Sequence, residues 1–163
     1  MNILFRTSGG RAADKQLGLG HVYRCLNLAE YLKSHNLFFL IEDFGGVKQV
    51  LREKGINNIS VLRKGTDLKS DIERTVRIIK HENIATVIID KYDTKTPYLR
   101  HIRKYAKVVV ISDLEKVNMK ADLLVNGFIG FNNKIIFNRY NTRCLLGPNF
   151  QILNKNFVKG NVK

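Results

Sequence analysis

Cysteine is scarce in this sequence, and the few cysteines present do not suggest a disulfide or metal site. Cys25 and Cys144 are the only two, which is too few for a disulfide framework and lacks the spacing of zinc ligands. The four histidines have no metal-ligand spacing either. We therefore expect a protein with reduced thiols and no metal.

Long hydrophobic runs are also missing. The longest apolar stretches, such as residues 108–111, have the length of a strand rather than the ~20 residues of a membrane span. The first six residues turn polar before the apolar centre of a signal peptide develops. Together with the scarce cysteine, this predicts a cytoplasmic protein.

Acidic residues are only half as numerous as basic ones. There are 14 of them against 28 lysines and arginines, so the formal net charge is +14. Such a surface attracts polyanions. However, the sequence has no block of like charges and no aromatic pattern typical of nucleic-acid binding. We therefore expect no specific nucleic-acid partner, and consider phosphorylated substrates and an acidic membrane surface as candidate partners.

Short apolar runs alternate with amphipathic stretches along all 163 residues. Runs that are apolar throughout predict strands covered on both faces, and their alternation with helices predicts an α/β fold with a doubly wound, mostly parallel sheet. The predicted strands are residues 3–5, 37–41, 60–62, 86–89, 107–111, 123–125 and 143–146. The predicted helices are residues 21–33, 44–54, 67–81 and 97–105.

A glycine-rich loop is predicted between the first strand and the first helix, and it carries the main candidate site. Gly9, Gly10, Gly18 and Gly20 let the backbone approach a ligand, and the following helix N-terminus favours a negatively charged group. Tyr23 stands where the dinucleotide fingerprint has its third glycine, and no P-loop lysine motif is present. We therefore expect no nucleotide cofactor and no other cofactor.

His21 is the histidine in this glycine-flanked segment. The positive potential of a helix N-terminus favours a neutral imidazole that accepts a proton. A general base of this kind typically contributes about 10²–10⁴ in rate. The alternative is a histidine that caps the helix or packs under the loop. The residues alone leave both interpretations open.

The segment 18–29, GLGHVYRCLNLA, resembles the G-x-G-H-x-x-R-x-x-x-L-A signature of the PseG family. This family comprises nucleotide-sugar hydrolases of the pseudaminic acid pathway, and is related to the SpsG proteins and to GT-B glycosyltransferases. The similarity continues in register over almost the whole chain. It includes RTSGG at 6–10, IIDKY at 88–92, VISDL at 110–114, ADLLVN at 121–126, LGP at 146–148 and NF at 156–157. Two departures are Ser112, which replaces one of a pair of aspartates, and an enlarged loop at 11–16.

The resemblance implies a single Rossmann-like half of a GT-B architecture. Residues 1–150 would form the N-terminal domain, and residues 151–163 a basic tail at the position of the interdomain linker. The second domain of the family is absent from the sequence. A separate chain that carries the C-terminal domain is therefore an expected partner.

The activity implied by the resemblance is water attack at the anomeric carbon of a UDP-linked, acetamido-substituted deoxysugar, with release of UDP. The pathway would be nonulosonic (pseudaminic) acid or surface polysaccharide biosynthesis. His21 would be the catalytic residue. The implied substrate-binding residues are Arg6, Gly18, Gly20, Arg24, Asp90, Tyr92, Asp113 and Asn126.

Other interpretations of several of these residues stay open. Arg24 can instead be a structural arginine that pairs across its helix, Asp90 and Asp113 can be turn-forming aspartates, and Asn126 can simply belong to a turn. Two other functions also remain: the acceptor-binding half of a GT-B glycosyltransferase, and a non-catalytic, truncated remnant. Whether this chain acts as an enzyme without a second lobe is likewise open.

Overall fold

The computed structural model describes residues 1–12 and 15–158. The strands are β1 (Asn2–Ala12), β2 (Lys15–Gly18), β3 (Asn36–Asp43), β4 (Ile59–Leu62), β5 (Thr86–Asp90), β6 (Lys107–Ser112), β7 (Leu123–Asn126), β8 (Lys134–Phe137) and β9 (Arg143–Leu146). The helices are α1 (Gly20–Tyr31), α2 (Val47–Glu53), α3 (Leu68–His81), α4 (Thr96–Ile102) and α5 (Lys155–Val158), with a 3₁₀ turn at Pro148–Phe150.

Eight strands lie side by side in the order β4-β3-β1-β5-β6-β7-β9-β8, and β2 pairs with β1. All neighbours from β4 to β9 are parallel, whereas β8 is antiparallel to β9 and β2 to β1. The chain moves outward from β1 to β3 and β4, then returns through α3 to β5 on the other side of β1. Strands β1 and β5 therefore flank the switch point where ligands bind in open α/β sheets.

Helices cover both faces of the sheet, which confirms the predicted doubly wound α/β fold. One core cluster joins Phe5 and Ile88 to side chains of α1 and α2, and the other joins Leu4 and Ile89 to side chains of α3 and α4. Because neighbouring strand residues point to opposite faces, β1 and β5 must be apolar on both. This requirement produces the continuous apolar runs of the sequence.

The glycine-rich segment is a β-ribbon, so the prediction of a loop there was wrong. Strand β1 continues to Ala12 and pairs with β2 through a register shift between Gly10 and Arg11. Gly10 has a φ of 117°, and a Cβ at this position would lie 2.7 Å from the backbone of Gly45. This glycine is thus needed for packing of the chain. Residues 13 and 14, within the predicted enlarged loop, lie outside the described residues.

One strand of the sheet differs from the sequence-based expectation. The edge strand β8 was not predicted, because its four residues are mostly exposed and do not form a buried run.

The C-terminal tail contacts α1, where Lys155 Nζ donates to the Glu30 carbonyl at 2.7 Å and lies over the Tyr31 ring. Residues 159–163 lie outside the described part of the chain. Among the described helices, none is long and apolar enough to cross a membrane.

Candidate active site

His21 and Asp90 meet at the switch point of the sheet. His21 lies in the first turn of α1, and Asp90 is the last residue of β5. Thr7 of β1 is the register partner of Asp90, so β5 ends beside the middle of β1, which continues to Ala12. The result is a distance of 2.7 Å between His21 Nδ1 and Asp90 Oδ1.

The surroundings of this pair assign the imidazole proton. The Asp90 side chain is completely buried (0% exposed), and an ionised carboxylate only accepts hydrogen bonds. Nδ1 therefore carries the proton that it donates to Asp90, so the lone pair of a neutral imidazole in this position would lie on Nε2. The His21 side chain is 19% exposed and lines a cavity. The ring is thus part of a cleft wall.

Arg24, one helical turn after His21, links the ends of two strands. Its Nε and Nη2 donate to both oxygens of Asp90 at 2.6 and 2.7 Å, and its Nη1 donates to Asp113 Oδ2 at 3.1 Å. Burial lowers the pKa of Arg24, but the hydrogen bonds and charge of Asp90 outweigh this effect and raise it above the ordinary value. Arg24 therefore pairs with two strand-end aspartates rather than across its own helix.

The cavity beside His21 has a volume of about 310 Å³. Tyr92 and Asp113 stand at its mouth, where they are 64% and 58% exposed. The walls also include residues that sequence reasoning missed, namely Lys91, Ser112 and Lys116. Lys91 and Ser112 could have been predicted from the sequence, because they lie directly next to Asp90 and Asp113 at the strand ends.

Gly18 and Gly20 lie on either side of the entry to α1. Gly18 ends β2 with a φ of 67°, and a Cβ added at either glycine would meet no atom within 4 Å. The N-cap residue Leu19 makes no side-chain hydrogen bond, and the first turn of α1 contains no acidic residue. The first turn of α1 thus has no side-chain cap, and the N–H groups of a helix N-terminus suit an anion.

Arg6 is placed away from this site, contrary to the expected substrate contact. Strand alternation turns it toward α3, where its Nε and Nη2 donate to the two oxygens of Asp71 at 2.9 and 2.8 Å. Lys91 Nζ donates to the same carboxylate at 2.7 Å. The Arg6 side chain is only 1% exposed, so its guanidinium belongs to a buried ion cluster rather than to the cleft.

Asn126 is also engaged within the protein. Its Nδ2 donates to the Leu114 carbonyl at 2.6 Å, and its Oδ1 accepts from Phe128 N at 3.0 Å. The side chain is completely buried. It braces the loops after β6 and β7, which support Asp113.

No cluster of three or more histidine, cysteine, aspartate or glutamate side chains in residues 1–12 and 15–158 is arranged to hold a metal ion. The site therefore consists of the His21–Asp90–Arg24 group, Asp113, the cavity residues and the first turn of α1.

A doubly wound, mostly parallel sheet with polar side chains at its switch point is a Rossmann-like architecture. MurG of Acinetobacter baumannii has a similar structure, with a TM-score of 0.54 and 15% sequence identity, over 78% of this chain and 42% of MurG. At this identity the likeness shows the fold alone.

The sequence is similar to the uncharacterized protein MJ1062 of Methanocaldococcus jannaschii. The two are 29% identical over 149 residues, which cover 88% of this chain and 30% of MJ1062. The chain thus spans about a third of the length of this relative. No protein-family model matches the chain.

Proposed function

We propose that this chain is the water-activating half of a nucleotide-sugar hydrolase in which His21 is the general base. The observation that carries the proposal is the His21–Asp90 pair, with Nδ1–H bound to a buried carboxylate and the ring on a cleft wall. A carboxylate that fixes the tautomer and orientation of an imidazole is a recurring arrangement for proton abstraction. The resemblance to the PseG family suggests the substrate, a UDP-linked acetamido-deoxysugar.

The reaction takes place at the anomeric carbon. A water oxygen attacks this carbon while the bond from the carbon to the diphosphate oxygen breaks, and the electron pair leaves with UDP. Nε2 of His21 takes the proton of the water, and the resulting imidazolium is stabilised by the Asp90 carboxylate. The product of the family reaction would enter pseudaminic acid or surface polysaccharide biosynthesis.

The departing diphosphate needs positive partners. The N–H groups at the start of α1 and the Lys116 side chain at the cavity rim are available on this chain. Arg6 and Arg24 are not available to bind the diphosphate, because they donate hydrogen bonds to the buried carboxylates of Asp71 and Asp90. We therefore propose that a second lobe, on a separate polypeptide, supplies the main contacts with UDP.

The test is release of UDP from UDP-2,4-diacetamido-2,4,6-trideoxy-β-L-altropyranose, measured by chromatography of the nucleotide. We expect only slow turnover by the wild-type chain alone, because the main contacts with UDP are on the second lobe, and a further loss of about 10²–10⁴-fold in His21→Ala. His81→Ala is the matched control, because His81 is 80% exposed and pairs only with its neighbour Glu82. Full activity of His21→Ala would remove the histidine from the mechanism, and no UDP release by the wild type would refute hydrolysis by this chain.

A second candidate function is the acceptor-binding half of a GT-B glycosyltransferase. The observation that favours it is a further cavity of about 250 Å³ on the other side of Asp113, lined by Phe128 and Phe150. An acceptor hydroxyl would then replace water, and the basic surface would favour contact with an acidic membrane. UDP release that requires an added acceptor would support this function over hydrolysis.

A further inference from the structure

We propose that Arg24 is a positioning residue that sets the tautomer of His21. It holds the Asp90 carboxylate against the ring and so fixes the imidazole proton on Nδ1. The catalytic meaning of this arrangement rests on the proposed function, but the arrangement itself is measurable without turnover.

The first step of the argument concerns Asp90. Its side chain is 0% exposed, and a buried carboxylate without a counter-charge is driven to take up a proton. Arg24 prevents this, because it contacts both oxygens at 2.6 and 2.7 Å and a guanidinium stays charged at any physiological pH. Asp90 therefore remains an acceptor for the imidazole.

The second step concerns the ring. Asp90 Oδ1 lies 2.7 Å from Nδ1 of His21, so an unprotonated Nδ1 would place two lone pairs against each other. Arg24 Nη2 also lies 3.2 Å from Nδ1, but a guanidinium only donates, and its shorter contact is with Asp90 Oδ1 at 2.7 Å. The Nδ1–Asp90 contact therefore decides the tautomer, with the proton on Nδ1 and the lone pair on Nε2.

The remaining charges around the ring are partly compensated. The titratable side chains that face the same cavity, or lie beneath it, are Cys25, Lys91, Tyr92, Asp93, Asp113 and Lys116. Lys91 pairs with Asp71, Asp93 with Lys95 and Asp113 with Arg24. Arg24 is thus the cation in direct contact with both members of the His21–Asp90 pair.

The experiment is long-range ¹H–¹⁵N NMR of the His21 ring in the full chain, which distinguishes a proton on Nδ1 from a proton on Nε2. We expect the wild type to carry its proton on Nδ1. In Arg24→Gln we expect the Nε2–H tautomer to appear, because a buried Asp90 without its counter-charge would take up a proton and donate it to Nδ1. Arg24→Lys, which keeps the charge, should retain mainly the Nδ1–H tautomer. Arg103→Gln is the matched control, because it removes a different arginine–aspartate pair, with Asp122 at 3.0 Å.

A ring in Arg24→Gln that carries its proton on Nδ1 as completely as in the wild type would overturn the proposal. So would a wild-type ring that carries its proton on Nε2, and this result does not depend on whether any variant folds. Loss of UDP release by the wild type with the expected NMR behaviour would refute the hydrolase function and leave the role of Arg24 intact.

Discussion

Replacing Asp71 by asparagine should destabilise the fold strongly. Asp71 accepts from Arg6 at 2.8 and 2.9 Å and from Lys91 at 2.7 Å, and the Arg6 side chain is 1% exposed. Asparagine keeps the volume of the side chain but leaves the buried Arg6 with only the more distant Glu42, at 3.7 Å, as a counter-charge. Breaking a buried pair in this way costs about 3–5 kcal/mol, out of a typical free energy of unfolding of roughly 5–15 kcal/mol.

The assay is urea unfolding followed by far-UV circular dichroism, with the slope m compared between variants. Glu30→Gln is the control, because the Glu30–Lys33 pair is largely exposed (40% and 66%) and should contribute at most about 0.5 kcal/mol. If Asp71→Asn cost less than about 1 kcal/mol, the buried ion cluster would not be the anchor that its geometry indicates.

The pH dependence of stability tests the same cluster. Burial raises the pKa of Asp71, but hydrogen bonds and charges from Arg6 and Lys91 outweigh it, so the folded-state pKa lies below the ordinary value. The stabilisation is therefore fully present above the unfolded-state value of about 4 and is lost as the pH falls through the lower folded-state value. Below about pH 5 the wild type should lose stability more steeply than Asp71→Asn.

Two further predictions concern the site and the ribbon. In Asp90→Asn the amide can donate to Nδ1, so the ring should switch to the Nε2–H tautomer and UDP release should fall by about 10⁴-fold; a retained Nδ1–H signal in the NMR spectrum would contradict this. Gly10→Ala should destabilise the chain more in urea than Gly65→Ala. Both glycines have positive φ, but only the Cβ at Gly10 would meet backbone, at 2.7 Å, whereas nothing lies within 4 Å of the one at Gly65. An equal loss in the free energy of unfolding for the two variants would show that the positive φ alone, and not the contact with backbone, determines the destabilisation.

The fold could be predicted from the sequence because its layers impose a simple pattern. Strands β5 and β6 are buried on both faces, so their residues read as continuous apolar runs that a single sequence reveals. Strand β8 was not predicted, because it lies at the edge of the sheet and is exposed along most of its length. The β-ribbon was not predicted, because its glycines carry no side-chain periodicity. Glycine is needed at position 10 because a Cβ there would meet the backbone of Gly45, which is distant in the sequence.

The candidate site was predictable in its positions but not in its pairings. Residues at strand ends, such as Asp90 and Asp113, are brought to one edge by any parallel sheet. Which of the nearby arginines reaches them depends on the face of the sheet. Arg6 is on a strand and turns toward α3, whereas Arg24 is on the helix that covers the strand ends. Alternation along β1 could have predicted this. Leu4 and Arg6 are two residues apart and point to the same face of the sheet, which is the face covered by α3.

The high positive charge of the chain does not by itself supply a site for a diphosphate. The arginine nearest the imidazole gives its donors to Asp90 and Asp113, and Lys91 gives a donor to Asp71. A cation bound by a buried carboxylate is already neutralised and orients its neighbours instead of the ligand. The charges at this cleft are therefore arranged to define one lone pair on His21. This arrangement supports the proposed function, in which this chain activates the nucleophile and a second lobe binds the nucleotide.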